Sequence, residues 1–119
     1  MVTVIDDDAS YRAAVQRLLK SEGFSVLAFG SAEDFLSSGQ QQETGCLIAD
    51  IRMPGLSGLD LQTKLNAEHC PIPTIFITAH GDEKMRLQAL RAGAVKFLTK
   101  PFDGNTLLEA VRVALELEG

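Results

Sequence analysis

Five short apolar runs alternate along this chain with segments whose apolar residues have helical spacing. The runs cover residues 2–5, 24–29, 46–49, 74–78 and 95–99. Short runs that are largely apolar are typical of strands buried on both faces. Neighbouring parallel strands need a crossover, which is usually right-handed and passes through a helix. The alternation therefore predicts an α/β fold, a doubly wound five-stranded parallel sheet with five helices on its two faces.

The helical segments carry their own start and stop signals. Asp8 is placed to cap the first helix, and Ser31 followed by Asp34 resembles a capping box for the second. Gly23 and Gly93 follow the first and fourth segments, as expected at helix C-termini. The apolar positions of the last segment predict that it buries Leu107, Leu108, Val111, Ala114 and Leu115.

Length, charge and composition narrow the class of protein. A chain of 119 residues is expected to form a single domain. Its net charge of -5 argues against a surface that binds nucleic acid directly. Cys46 and Cys70 lie in different contexts and favour small, buried, reduced thiols over a disulfide. No stretch approaches the roughly 20 apolar residues of a membrane helix and no signal peptide precedes the first run, so we expect a cytoplasmic protein without membrane contact.

Polar residues mark the carboxyl ends of four of the apolar runs. These residues are Asp6-Asp7-Asp8, Asp50, Thr78 and Lys100-Pro101. Taken singly, each has an ordinary explanation, such as a solvated acidic loop, a surface lysine in a turn or a strand hydroxyl. The carboxyl ends of parallel strands share one edge of the sheet, where doubly wound proteins bind their ligands. The combination therefore predicts one site.

The carboxylates of Asp6, Asp7 and Asp50 would crowd into one crevice at this edge. Like charges this close raise one another's pKa unless a cation neutralises them. Mg²⁺, which takes one or two protein carboxylates and keeps several waters, suits an open site of this kind. An ammonium from Lys100 and a hydroxyl from Thr78 beside the carboxylates would suit an incoming phosphoryl group.

Four segments give a more specific signal. They read VIDD at residues 4–7, IADIRMPG at 48–55, ITAH at 77–80 and FLTKPF at 97–102. In this order the segments resemble the receiver domain of bacterial two-component response regulators, and most closely the receivers of FixJ-like regulators. The resemblance implies a flavodoxin-like (CheY-like) strand order 2-1-3-4-5 and a single receiver domain over residues 1–119.

The resemblance also implies how the acidic site works. Asp50 would be the phosphoacceptor, and Lys100 would pair with Asp50 or with the phosphoryl oxygens. Asp7, Asp50 and the backbone carbonyl of Arg52 would hold Mg²⁺, with Asp6 acting through water. Mn²⁺ or Ca²⁺ could substitute for Mg²⁺.

A conformational switch and a control of phosphoryl lifetime are implied as well. Thr78 would bond to the phosphoryl group and Phe97 would turn inward, which would change the surface formed by the fourth helix, fifth strand and fifth helix. Arg52 and His80 would flank the path of the hydrolytic water and tune the lifetime of the phosphoryl group. As loop residues, these two side chains could equally well be solvated and without such a role.

A sensor histidine kinase would be the phosphoryl donor, and phosphorylation would produce a homodimer. The resemblance implies a signalling module, not a turnover enzyme, with no direct nucleic-acid contact through this domain. DNA would be bound through a C-terminal output domain that is missing from these 119 residues. An excised receiver is therefore favoured over a stand-alone receiver that acts by protein contact.

Two other classes share features of the prediction. A Mg²⁺-dependent phosphatase of the haloacid-dehalogenase type also uses an Asp at a strand end, but it requires a second Asp two residues later, where this chain has Arg52. A flavodoxin-like FMN carrier requires a hydroxyl- and Gly-rich phosphate loop after the first strand. Asp6, Asp7 and Asp8 at that position would repel a phosphate.

Overall fold

A computed structural model describes residues 1–79 and 83–118, with side chains through residue 116. Across these residues five strands alternate with five helices. The strands are β1 Val2–Ile5, β2 Val26–Phe29, β3 Cys46–Asp50, β4 Thr74–Thr78 and β5 Lys96–Thr99. The helices are α1 Ala9–Ser21, α2 Ala32–Ser38, α3 Gly58–Ala67, α4 Glu83–Arg91 and α5 Gly104–Glu118.

The strand order is β2-β1-β3-β4-β5, and each neighbouring pair is parallel. The predicted fold class and strand order are thereby confirmed. β1 and β4 have their predicted bounds, β3 extends to Asp50, and β5 begins at Lys96. The predicted start of β2 at residue 24 is wrong, because β2 begins at Val26. Phe24 closes the end of α1 instead, where its N–H donates to the Leu19 carbonyl (3.1 Å).

Each face of the sheet has its own hydrophobic layer. Successive strand residues face opposite sides, so β1 places Val2 and Val4 in one layer and Ile5 in the other. α1 and α5 cover the first layer, and α2, α3 and α4 cover the second. The predicted core residues of α5 are buried apart from Leu115, which is half-buried. The two layers hold the central strands in position, and the predicted site lies at the carboxyl ends of these strands.

The helix caps follow the predicted signals in part. The Asp8 carboxylate caps α1 by accepting from the backbone N–H groups of residues 10 and 11. Ser31 caps α2 by accepting from the Asp34 N–H (3.0 Å). A complete capping box, in which both side chains accept a backbone hydrogen bond, lies at Ser57 and Asp60 of α3 and was not predicted.

The two cysteines are free thiols with different exposure. Cys46 is buried in β3, and this burial raises the pKa of its thiol to about 12. Cys70 is only half-buried, so the expectation of two buried thiols holds for Cys46 alone. Within residues 1–79 and 83–118 no helix is long and apolar enough to cross a bilayer.

Gly58, the first residue of α3, packs directly against the end of β3. A Cβ atom at this position would lie 2.6 Å from the Asp50 carbonyl oxygen and 3.0 Å from Cε1 of Phe76. Both neighbours are held in the sheet, so neither can move aside easily. The glycine therefore sets how closely α3 approaches the strand that carries Asp50.

We predict that Gly58→Ala lowers the free energy of unfolding by about 2 kcal/mol, the usual cost of forcing extra volume into a packed core. Urea denaturation measures this change. Gly104→Ala is the matched control, since its Cβ would meet only the flexible Leu18 side chain at 3.3 Å. Equal stability of the Gly58→Ala variant and the wild type would contradict the close packing of α3 on β3.

Candidate functional site

Three carboxylates lie together at the carboxyl edge of the sheet. β1 pairs with β3 so that Ile5 lies beside Ala49, which brings Asp6 and Asp50 next to each other at the strand ends. One carboxylate oxygen from each of Asp6, Asp7 and Asp50 lies within 4.8 Å of the others. The structure thus brings together the three acids that the sequence placed in one crevice.

The acids differ in exposure and in what holds them. Asp6 is fully buried, Asp50 is 6% exposed, and Asp7 is exposed. Oδ1 of Asp6 accepts from the Asp8 N–H (3.0 Å), and Oδ1 of Asp50 accepts from the Arg52 N–H (3.0 Å). Two carboxylates are therefore fixed by backbone donors, whereas the third faces solvent.

The Lys100 ammonium bridges the two buried acids. Its Nζ lies 3.1 Å from Oδ2 of Asp6 and 3.1 Å from Oδ2 of Asp50. The Lys100 backbone N–H donates to the Thr78 carbonyl (2.8 Å). This bond ties the start of the loop between β5 and α5 to the end of β4. The peptide bond between Lys100 and Pro101 is cis.

Burial and ion pairing perturb the acid–base behaviour of this group. Burial raises the pKa of the Asp6 carboxyl above its usual range, despite hydrogen bonds from the Asp8 N–H and from Lys100. The charge of Asp50 raises it too, but burial is the larger cause. Burial also acts to lower the pKa of Lys100, yet the hydrogen bonds and charges of Asp6 and Asp50 outweigh it and raise that pKa.

The donor set fits a hard divalent cation. Carboxylate oxygens are the ligands that Mg²⁺ prefers, and one to two of them with several waters complete its shell. When Asp6, Asp7 and Asp50 are ionised, their three negative charges exceed the single charge of Lys100 by two. A divalent ion held by these acids would balance this excess, so the three residues form a candidate metal centre.

The remaining predicted residues differ in their burial and in whether the structure describes them. Thr78 is fully buried at the end of β4, beside Thr99 of β5. Phe97 is half-buried, lies beside Phe76 in the sheet and packs against the second hydrophobic layer. Arg52 is exposed, and its backbone N–H holds Asp50. His80 lies outside the described residues.

Two residues of α1 that the sequence did not identify also reach the site. The Tyr11 ring centroid lies 4.1 Å from Nζ of Lys100. Nη1 of Arg12 donates to the backbone carbonyl of Asp6 (2.6 Å). Both residues lie in the first turns after the Asp8 cap, and that position is the one signal in the sequence that places them near the end of β1.

Comparison with known proteins gives consistent matches over nearly the whole chain. A family model for the response regulator receiver domain matches residues 2–112. Nodulation protein W of Bradyrhizobium diazoefficiens is 49% identical over 116 residues, which cover 98% of this chain and 51% of that protein. The transcriptional regulatory protein FixJ of Azorhizobium caulinodans is 43% identical over 114 residues, which cover 96% of this chain and 54% of that protein.

The structural comparison agrees with these sequence matches. The crystal structure of FixJ-N has a TM-score of 0.87 and 38% identity, and the match covers 97% of this chain and 92% of that one. The chain spans about half the length of the curated relatives it matches.

We predict that Asp6→Asn stabilises the metal-free protein at neutral pH. Because the pKa of Asp6 is raised in the folded state, its stabilising contribution is complete below the unfolded value of 3.8 and is lost as the pH rises through the folded value. The difference in unfolding free energy between the variant and the wild type should therefore open above pH 3.8 and widen until the pH passes the folded value.

Urea denaturation in a chelating buffer at a series of pH values measures this difference. Glu43→Gln, which neutralises an exposed loop carboxylate, is the control for the change in net charge, and the effect of Asp6→Asn should exceed its effect. A difference that stays constant, or that closes as the pH rises, would show that ionised Asp6 does not cost the fold stability.

Proposed function

This chain belongs to the response regulator receiver domain family, and we propose that it accepts a phosphoryl group on Asp50 from the phosphohistidine of a sensor histidine kinase. Receiver domains of response regulators act in phosphorylation-based two-component signalling and are typically signalling modules without turnover. The family assignment gives no support to the two alternatives, a phosphatase of the haloacid-dehalogenase type and an FMN carrier.

The bridging position of Lys100 is the observation that carries the proposal. Lys100 directly follows β5, and its ammonium lies 3.1 Å from Oδ2 of Asp50, where it could meet incoming phosphoryl oxygens. In the transfer, an oxygen of Asp50 forms a bond to phosphorus while the bond from phosphorus to the histidine nitrogen breaks. The bonding electron pair stays with the imidazole, and Asp50 becomes an acyl phosphate. Lys100 then donates to the phosphoryl oxygens in place of the carboxylate.

Mg²⁺ is the proposed metal, with Mn²⁺ or Ca²⁺ as possible substitutes. Asp7, Asp50 and the backbone carbonyl of Arg52 would hold it, and Asp6 would act through water. When bound, the ion supplies positive charge that offsets the charge of the phosphoryl oxygens. The acidic cluster of Asp6, Asp7 and Asp50 supports this assignment.

Phosphorylation would bias a switch that involves Thr78 and Phe97. The modification adds about -1.5 to -2 charges beside Lys100. Moving a two-state equilibrium from 1:99 to 99:1 requires about 5.5 kcal/mol, which a few charge-assisted hydrogen bonds of about 1.5 to 3 kcal/mol each can supply. Thr78 would move toward the phosphoryl group and Phe97 would turn inward. The surface of α4, β5 and α5 would then change and favour a homodimer.

Arg52 and His80 would tune the lifetime of the phosphorylated state.

The output of the whole protein is proposed to be transcriptional. The relative FixJ is a transcriptional regulatory protein, and this chain spans 54% of it. We infer that residues 1–119 are one receiver domain and that a C-terminal domain binds DNA. A stand-alone receiver that acts by protein contact is the other arrangement. The kinase and the DNA would place the protein in the cytoplasm.

A gain in mass identifies the phosphoacceptor. With Mg²⁺ and acetyl phosphate, the wild type should gain the mass of one phosphoryl group, because Asp50 offers a carboxylate beside Lys100. Asp50→Asn should gain none, and Asp34→Asn, which changes an exposed acid on α2, should react like the wild type. Intact-mass spectrometry measures the gain. An unmodified wild type, or an Asp50→Asn variant that reacts equally, would refute the proposal.

The oligomeric state of the protein reports the switch. Phosphorylated or beryllofluoride-treated wild type should sediment as a dimer, and untreated protein should sediment more slowly. Thr78→Val should still be phosphorylated, since Asp50 and Lys100 remain, but its shift toward the dimer should be reduced at least tenfold in dimerisation constant, about 1.4 kcal/mol. Analytical ultracentrifugation measures both. Unchanged sedimentation of the modified wild type would show that this surface does not respond.

A further inference from the structure

Lys100 has a third partner besides the two carboxylates. Its Nζ lies 4.1 Å from the centroid of the Tyr11 ring, within the range of a cation–π contact. The side chain of Lys100 is 14% exposed, so little water competes for the ammonium. Two carboxylate oxygens and one aromatic face therefore surround the charge.

Tyr11 is held both at its backbone and at its ring. Its backbone N–H donates to Oδ1 of Asp8 (3.1 Å), so the helix cap fixes the turn that carries the ring. The ring also meets the ring of Phe102 edge to face, with centroids 5.9 Å apart and planes at 73°. Phe102 lies two residues after Lys100, and the loop that supplies the lysine therefore also supports the ring that covers it.

Phosphorylation of Asp50 would affect each contact of Lys100 differently. The bond to Oδ2 of Asp50 has to be exchanged for bonds to the phosphoryl oxygens, whereas the bond to buried Asp6 can stay. An aromatic face attracts the charge of the ammonium without requiring one N–H direction. Such a contact can hold the position of Nζ while its hydrogen bonds change.

We propose that Tyr11 is a positioning residue for Lys100, which keeps the ammonium in place while it exchanges the Asp50 carboxylate for the phosphoryl group. This inference rests on the proposed transfer to Asp50. It also gives Asp8 a role, since the cap of Asp8 on α1 sets the place of Tyr11. Tyr11 acts through its ring and not through its hydroxyl.

Two substitutions distinguish the effect of the aromatic ring of Tyr11 from the effect of its apolar bulk. Tyr11→Phe keeps the aromatic face, whereas Tyr11→Leu keeps an apolar side chain without one. The rate of modification by phosphoramidate at saturating Mg²⁺ should stay within about twofold of the wild type for Tyr11→Phe and fall roughly tenfold for Tyr11→Leu. The affinity for Mg²⁺, measured by calorimetry, should be unchanged in both variants, because the three acids remain.

The outcomes distinguish this inference from the proposed function. A wild type that is not modified on Asp50 would refute the proposed function. A Tyr11→Leu variant that reacts as fast as the wild type would overturn the role of Tyr11, and so would a Tyr11→Phe variant as slow as Tyr11→Leu. A parallel loss of Mg²⁺ affinity would overturn it too, because the ring would then act on the acids. If circular dichroism shows that Tyr11→Leu does not fold, Tyr11→Met, with an unbranched apolar side chain, takes its place in the same measurements.

Discussion

The Lys100 ammonium holds together two carboxylates that come from different strands. Asp6 is fully buried and Asp50 nearly so, and buried carboxylates without a cation are strongly destabilising. The sheet order places β4 between β5 and β3, so the lysine has to reach across the end of β4. Its backbone N–H bond to the Thr78 carbonyl fixes the start of that reach. Among the described residues, Lys100 is the one whose side chain forms ion pairs with both buried carboxylates at this edge of the sheet.

The same arrangement leaves the site short of positive charge. Lys100 can balance one of the three ionised acids, and a divalent ion would balance the other two. Burial raises the pKa of the Asp6 carboxyl, and the charge of Asp50 adds a smaller rise. The close approach of Gly58 to the Asp50 carbonyl and the bond from the Arg52 N–H keep Asp50 from moving away. A site held in place in this way, with excess negative charge, is suited to take up a divalent metal ion, whose charge would then attract a phosphoryl group.

Much of this arrangement could be predicted from the sequence, because strand ends in a parallel sheet share one edge whatever their separation along the chain. Asp6, Asp50, Thr78 and Lys100 could be placed in this way. The start of β2 could not, since Phe24 is apolar enough for a strand and only the close of α1 assigns it elsewhere. The contacts of Tyr11 with Lys100 depend on the rotation of α1 over the sheet. A helical pattern in one sequence does not specify that rotation to the level of a single ring.

Modification of Asp50 should make Lys100 exchange the carboxylate for the phosphoryl group. A crystal structure of the protein with Mg²⁺ and beryllofluoride tests it most directly, since beryllofluoride on a carboxylate mimics the phosphoryl group. We expect beryllium bonded to an oxygen of Asp50, with the Lys100 ammonium donating to fluoride and the metal beside Asp7. Beryllofluoride bound to another residue, or Lys100 still bonded to Asp50 and not to fluoride in the adduct, would contradict it.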